Sequence, residues 1–130
     1  MHRHPRTKKL IDKHKQQYVR LKAVKCAVIG DYVYFNMFGF KHLIFKGKHR
    51  RDTTAIFNRL VLIPLIVPTI KNCDEILETR IRKEIIDGKK VVVTYHALES
   101  HVGQDSVRVR VVVRKVGDRG KFFFYSVMKY

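Results

Sequence analysis

Acidic side chains are scarce in this chain: 11 Asp and Glu stand against 28 Lys and Arg, a formal net charge of +17 over 130 residues. That leaves too few carboxylates for a two-metal nuclease. Tryptophan is absent, and cysteine occurs only as Cys26 and Cys73. Two thiols make no disulfide framework, and neither has a second Cys at metal-ligand spacing. Both read as reduced thiols of a cytoplasmic protein. The longest largely apolar run, Leu60 to Ile70, covers 11 residues. A membrane-spanning helix needs about 20, so no membrane placement is expected. No charged-then-apolar leader opens the chain, and a secretory signal is not expected. Phosphate-cradling glycine loops, the Gly-x-Ser-x-Gly elbow and HExxH spacing are missing as well. No cofactor and no metal is expected.

What is present is apolar enough to fold. The hydrophobic share is 45%, too high for a disordered polycation, and the length suits one compact domain. The charge is uneven. Residues 1–51 carry 14 Lys and Arg against Asp12 and Asp31, while residues 52–130 carry 14 against nine acids. A surplus this large calls for an anionic partner. Nucleic acid comes first, because each phosphate contact releases condensed counterions. An acidic protein comes second and anionic lipid third.

Hydrophobic periodicity divides the chain. Met1 to Lys9 reads as a polar, basic, mobile end. From Thr7 onward, Leu10, Ile11, His14, Tyr18 and Leu21 form one helical stripe, so residues 1–22 read as a basic helical extension and 23–130 as the domain proper. Val24–Ile29 and Tyr32–Phe35 flank Gly30-Asp31 as a hairpin. A brief helix or turn and a loop follow through Asp52, and Thr53 or Thr54 is placed to cap the next helix. Pro64 and Pro68 forbid one long helix, so two short helices joined near Pro64 are expected. Four β-type runs come last: Glu75–Arg82, Lys89–Ala97, Val107–Val116 and Phe122–Met128, with Asp87-Gly88 as a two-residue turn. The expected class is α+β, with N-terminal helices packed on a C-terminal antiparallel meander of about four strands. Alternation puts Arg108, Arg110, Val112 and Arg114 on one face of the third run, and Phe122, Phe124, Ser126 and Met128 together on the fourth.

Four groups of residues could carry chemistry. His42, Lys46, Lys48, His49, Arg50 and Arg51 form a basic segment. It reads either as a solvated loop or as a phosphate-binding acid/base cluster, since His can take and give a proton near neutral pH. Arg80 with Arg82 reads as a charged edge strand or a phosphate contact. His96 with Arg108 and Arg110 reads as a polar sheet face or an arginine-lined floor for RNA. Ser126, with Tyr125, Lys129 and Tyr130, reads as a small strand residue or a hydroxyl facing phosphate.

The order of helices, Pro-interrupted apolar helix and four-stranded meander resembles the ribonuclease superfamily of barnase, EndoU, the colicin tRNases and RelE, nearest to its phage- and mobile-element-associated branch. The likeness spans about residues 30–130. It is carried by Lys41-His-Leu-Ile-Phe-Lys46, by Leu62-Ile-Pro-Leu-Ile-Val-Pro-Thr-Ile70, by Val107-Arg-Val-Arg-Val-Val-Val-Arg114, and by Gly120-Lys-Phe-Phe-Phe-Tyr-Ser-Val-Met-Lys129. It implies metal-independent RNA cleavage in which the ribose 2′-hydroxyl attacks its own phosphate. On that resemblance His42 is acid or base; Lys46 and His49, from the basic segment itself, are catalytic candidates with it. Arg80 and Arg108 hold the phosphate and Ser126 orients it. From the basic clusters and strand faces, Lys48, Arg50, Arg51, His96, Arg110, Lys129 and Tyr130 are expected to bind RNA. No strand glutamate matches the general base of barnase; catalytic residues vary across the superfamily, some members acting through Lys, Arg and Tyr, so Tyr125 or Tyr130 is a further candidate to take part. Such an enzyme reads as a toxin, and its partner as an acidic antitoxin or immunity protein. The competing readings are a non-catalytic basic RNA-binding module of the ribosome-associated kind and, last, a DNA-binding regulator that would lack a clear helix-turn-helix.

Overall fold

A computed structural model describes residues 5–130. The basic end expected to be mobile falls partly at residues 1–4, outside the described residues. From Pro5 the chain is already helical, two residues earlier than the pattern predicts. Helix α1 (Pro5–Val19) leads to the hairpin β1 (Val24–Cys26) and β2 (Asp31–Tyr34). Then come α2 (Met37–Ile44), a miniature hairpin of β3 (Phe45–Lys46) and β4 (His49–Arg50), α3 (Thr53–Leu60) and α4 (Ile63–Asn72). The meander follows as β5 (Ile76–Ile86), β6 (Lys89–Val102), β7 (Val107–Val116) and β8 (Phe122–Lys129).

The class is α+β. The sheet, however, has six strands rather than about four, in the order β1-β2-β8-β7-β6-β5. The first hairpin adds to the outside of β8 through a parallel β2–β8 pair, Val33 to Phe122 and Tyr34 to Phe123. This pairing joins segments far apart in sequence, which local alternation cannot reveal. The Asp87-Gly88 turn forms as its residues predict. Both have positive φ, 51° and 76°, the geometry that matches the twist of flanking strands. β5 runs four residues past its expected end, because pairing with β6 continues up to Ile86 and Lys89.

One face of the sheet is covered. Val109, Val111 and Val113 of β7 point into the core with Leu98, Phe124 and Val127. Against them pack Phe40, Leu43 and Ile44 of α2, Ile56 and Leu60 of α3, and Ile63, Ile66 and Ile70 of α4. Ile11 and Tyr18 bring α1 into the same core, at 3% and 2% exposure. α3 and α4 meet at a 49° bend, and Pro64 sits in the first turn of α4, where its missing N–H costs nothing. The cap of α3 is Asp52, whose carboxylate accepts from the Ala55 N–H at 2.8 Å, rather than Thr53 or Thr54. No single described helix is long and apolar enough to cross a membrane.

α2 lies unusually close to β8. Asn36 caps it by accepting from the Gly39 N–H at 3.2 Å, and a Cβ at Gly39 would stand 2.6 Å from the Phe124 carbonyl and 2.7 Å from the Tyr18 hydroxyl. Alanine normally favours a helix by about 1 kcal/mol over glycine. Here Gly39→Ala should instead destabilise by about 1–3 kcal/mol through overpacking. Chemical denaturation should show a lower midpoint at an unchanged slope; a higher midpoint would mean that α2 stands further from the sheet.

Candidate functional site

The uncovered face of the meander collects the arginines. Strand alternation places Arg108, Arg110, Val112 and Arg114 opposite the core-facing valines. Register then sets Arg114 beside Tyr95, Arg110 beside Glu99 and Arg80 on the far side of Tyr95. The face holds an open groove of about 290 Å³, whose lining includes Arg80, Arg82, Arg110, Tyr95, Tyr125 and Tyr130. Tyr130 is pinned by its N–H to the Arg108 carbonyl at 2.9 Å. Its ring lies 5.3 Å from the Arg108 guanidinium and 4.6 Å from that of Arg110.

These arginines are organised by carboxylates. Glu99 bonds Arg110 at 3.1 Å and Arg108 at 3.5 Å. Glu84 holds Arg114 at 3.4 Å and accepts from the Tyr95 hydroxyl. Burial and that hydrogen bond push the Tyr95 phenol above its ordinary range. Arg80 pairs with Glu78 at 2.6 Å, and this exposed pair adds little stability.

A bulge in β8 decides where the last strand points. Val112 pairs with Ser126 and Val113 with Phe124, which leaves Tyr125 as an extra residue. Tyr125 and Ser126 therefore share the arginine side, while Phe122, Phe124 and Val127 face the core. The expected grouping of Ser126 with Phe122 and Phe124 is thereby corrected. An extra residue shifts the alternation by one, and composition carries no mark of it.

Tyr125 is the junction of the site. His42 stacks on it at 4.3 Å and Tyr95 meets it edge-on at 5.2 Å. Phe38 lies 6.1 Å from it and 5.0 Å from the Arg114 guanidinium. Behind His42 stand two more arginines. The β3–β4 hairpin turns the chain back so that Arg51 Nε donates to the His42 carbonyl at 3.2 Å. Arg59 reaches from α3 to donate to the Val127 carbonyl at 3.0 Å. Among the described residues neither Arg51 nor Arg59 pairs with a carboxylate. Burial lowers both guanidinium pKa values, and Arg51 repels Arg59 as well. Burial, then repulsion from Arg51 and Arg59, pushes His42 down to about 4. At neutral pH it is an uncharged imidazole beside two guanidinium groups, able to accept a proton.

The expected site residues divide. Arg80, Arg110 and Tyr130 line the groove; Arg108 stands at its Tyr130 end, Ser126 lies opposite Val112, and His42 and Arg51 join through Tyr125. Lys46 and His49 pair across the small β3–β4 hairpin with Lys48 in its turn, all exposed. His42 and His49 thus sit on different elements and share no face. Arg50 buries its Nε without a hydrogen-bond partner. His96 pairs with Val113 and so faces the covered side; it bonds Thr79 at 2.8 Å and cannot join an arginine floor with Arg108 and Arg110. Lys129, opposite Val109, also points to that side. Arg59, Arg114, Tyr95 and Phe38 also belong to the site, although no motif in the sequence marks them. Arg114 was legible in its strand's alternation, but the contact of α3 with β8 that brings in Arg59 had no local signal.

Cys26 and Cys73 lie buried with their sulfurs 3.9 Å apart, and burial, then Cys26, pushes the Cys73 thiol up to about 12. Among the described residues no three His, Cys, Asp or Glu side chains gather as metal ligands. Compared with protein-family models, curated proteins and solved structures, the chain shows no significant match to any of them.

Proposed function

We propose that this protein is a metal-independent endoribonuclease working on the arginine face of its sheet. The observation that carries this reading is the neutral, half-buried His42, stacked on Tyr125 and flanked by two arginines free of carboxylates. In this scheme His42 takes the proton from the ribose 2′-hydroxyl as that oxygen bonds to phosphorus. Arg51 and Arg59 stabilise the added negative charge, and their effect is largest where charge develops in a partly desolvated site. The bond to the 5′-oxygen breaks, and the Tyr125 hydroxyl gives that oxygen its proton. Arg51 and Arg114 stabilise the phenolate left behind, and a proton passing from His42 to it resets the site. Arg80 and Arg110 hold the neighbouring phosphates by exchanging their carboxylate partners. The exposed rings of Phe38 and Tyr130, at 52% and 48%, give unpaired bases a surface to stack on. A basic enzyme of this kind acts as a toxin unless held by an acidic partner that covers the same face.

The test is incubation of the full chain with end-labelled RNA in excess chelator. Fragments ending in 2′,3′-cyclic phosphate are expected. Intact RNA that only shifts in a gel would overturn the enzyme reading in favour of a binding module.

A further inference from the structure

A second cleft, of about 590 Å³, opens between α3 and the end of β8. β2 pairs with β8 only at Phe122 and Phe123, so this edge of β8 has no strand beside it further on. Arg59 reaches it there, at the Val127 carbonyl. The walls are mostly aliphatic, with Leu62, Leu65 and Val107 among them, and the polar groups are Asn58, Arg59 and Lys129. No carboxylate lines it. The cleft adjoins the arginine groove, because Met128 lines both. Arg59 also interacts electrostatically with Tyr130 at the groove's end.

Aliphatic walls with a few polar groups suit a flat, mostly apolar ligand with a polar edge, and the size is that of small-molecule pockets. A nucleobase is such a ligand. The two cations suit the phosphates on either side of it. A carboxamide offers a donor and an acceptor side by side, the pair that reads a base edge. We propose that this cleft is a nucleobase subsite: it takes the base next to the phosphodiester at His42, and Asn58 reads that base. The position of the reacting phosphate rests on the ribonuclease reading; base recognition by the cleft does not.

The probes are four short single strands with 2′-O-methyl riboses, alike except for one base, which cannot be cleaved because the nucleophile is blocked. Fluorescence anisotropy with the full chain should show one base preferred by about 5- to 150-fold. Asn58→Ala should shrink that spread to within about threefold, with the salt dependence of binding unchanged. Lys129→Ala should do the opposite, weakening all four strands alike and lowering the salt slope. Equal affinities in the unaltered protein, or an undiminished spread in Asn58→Ala, overturn the subsite. Cleavage of unmodified RNA is scored apart. Cutting without base preference sinks the subsite and leaves the enzyme; base-selective binding without cutting sinks the enzyme and leaves the subsite.

Discussion

His42→Ala should slow RNA cleavage by about 10²- to 10⁴-fold, the contribution of one positioned proton-transfer group, with little loss of fold. His42 is only half-buried and is not among the core residues Phe40, Leu43 and Ile44 of α2, so its removal opens no hole in the core. The pH profile makes the test specific. Burial and the two arginines put the His42 pKa at about 4 against an ordinary 6.5. Cleavage should therefore rise with pH through about 4 and run flat across neutrality as far as His42 governs it. A histidine of ordinary pKa would place that rise near 6.5. Arg59→Ala, by removing one of the repelling charges, should move the rise to higher pH. A profile unmoved by that change, or full cleavage by His42→Ala, would take His42 out of the chemistry.

The same depressed value bears on stability. Between pH 6.5 and 4 the unfolded chain binds a proton that folded His42 resists, so stability should fall as pH falls through that window. His96, lowered by burial and by Lys115, adds in the same direction. Some acid sensitivity should thus survive in His42→Ala, and urea midpoints across the window would show it.

Tyr18→Ala should be the most damaging change to the fold, costing about 3–5 kcal/mol, or about 12–20 °C in Tm. Its ring touches those of Phe35, Phe40 and Phe124, and its hydroxyl donates to the Asn36 carbonyl at 2.8 Å. Burial raises its pKa far above the ordinary value, so it stays a neutral donor. One side chain thus ties α1, the cap of α2 and β8 together. Tyr18→Phe keeps the packing and should cost only about 0.5–1.5 kcal/mol, the net value of the hydrogen bond. A mild effect of the alanine would show that α1 is an appendage rather than part of the core.

That tie also marks how far residues 1–22 can be read alone. Ile11 and Tyr18 are visible as one apolar stripe. What the stripe packs against is not, because its partners lie 17 and more residues on. The meander was more legible. The Val107–Val113 alternation separates a valine face from an arginine face, and Asp87-Gly88 marks its turn. The site is a mixture for the same reason. Arg80, Arg110 and Tyr130 share a groove because antiparallel pairing of neighbouring strands brings them together. His96 falls on the face opposite Arg108 and Arg110 because the β6–β7 register pairs it with Val113, and alternation within one strand carries no register.

Local pattern alone was enough for the α+β class, the break between α3 and α4, and the basic face of β7, because side-chain period and turn chemistry act within a few residues. Three things were decided only in three dimensions. β2 joins β8 in parallel, one unpaired residue at Tyr125 turns the last strand's side chains, and Arg51 and Arg59 gather behind His42. Each depends on contacts between segments distant along the chain. Packing geometry selects such contacts, whereas alternation and propensity report only on near neighbours.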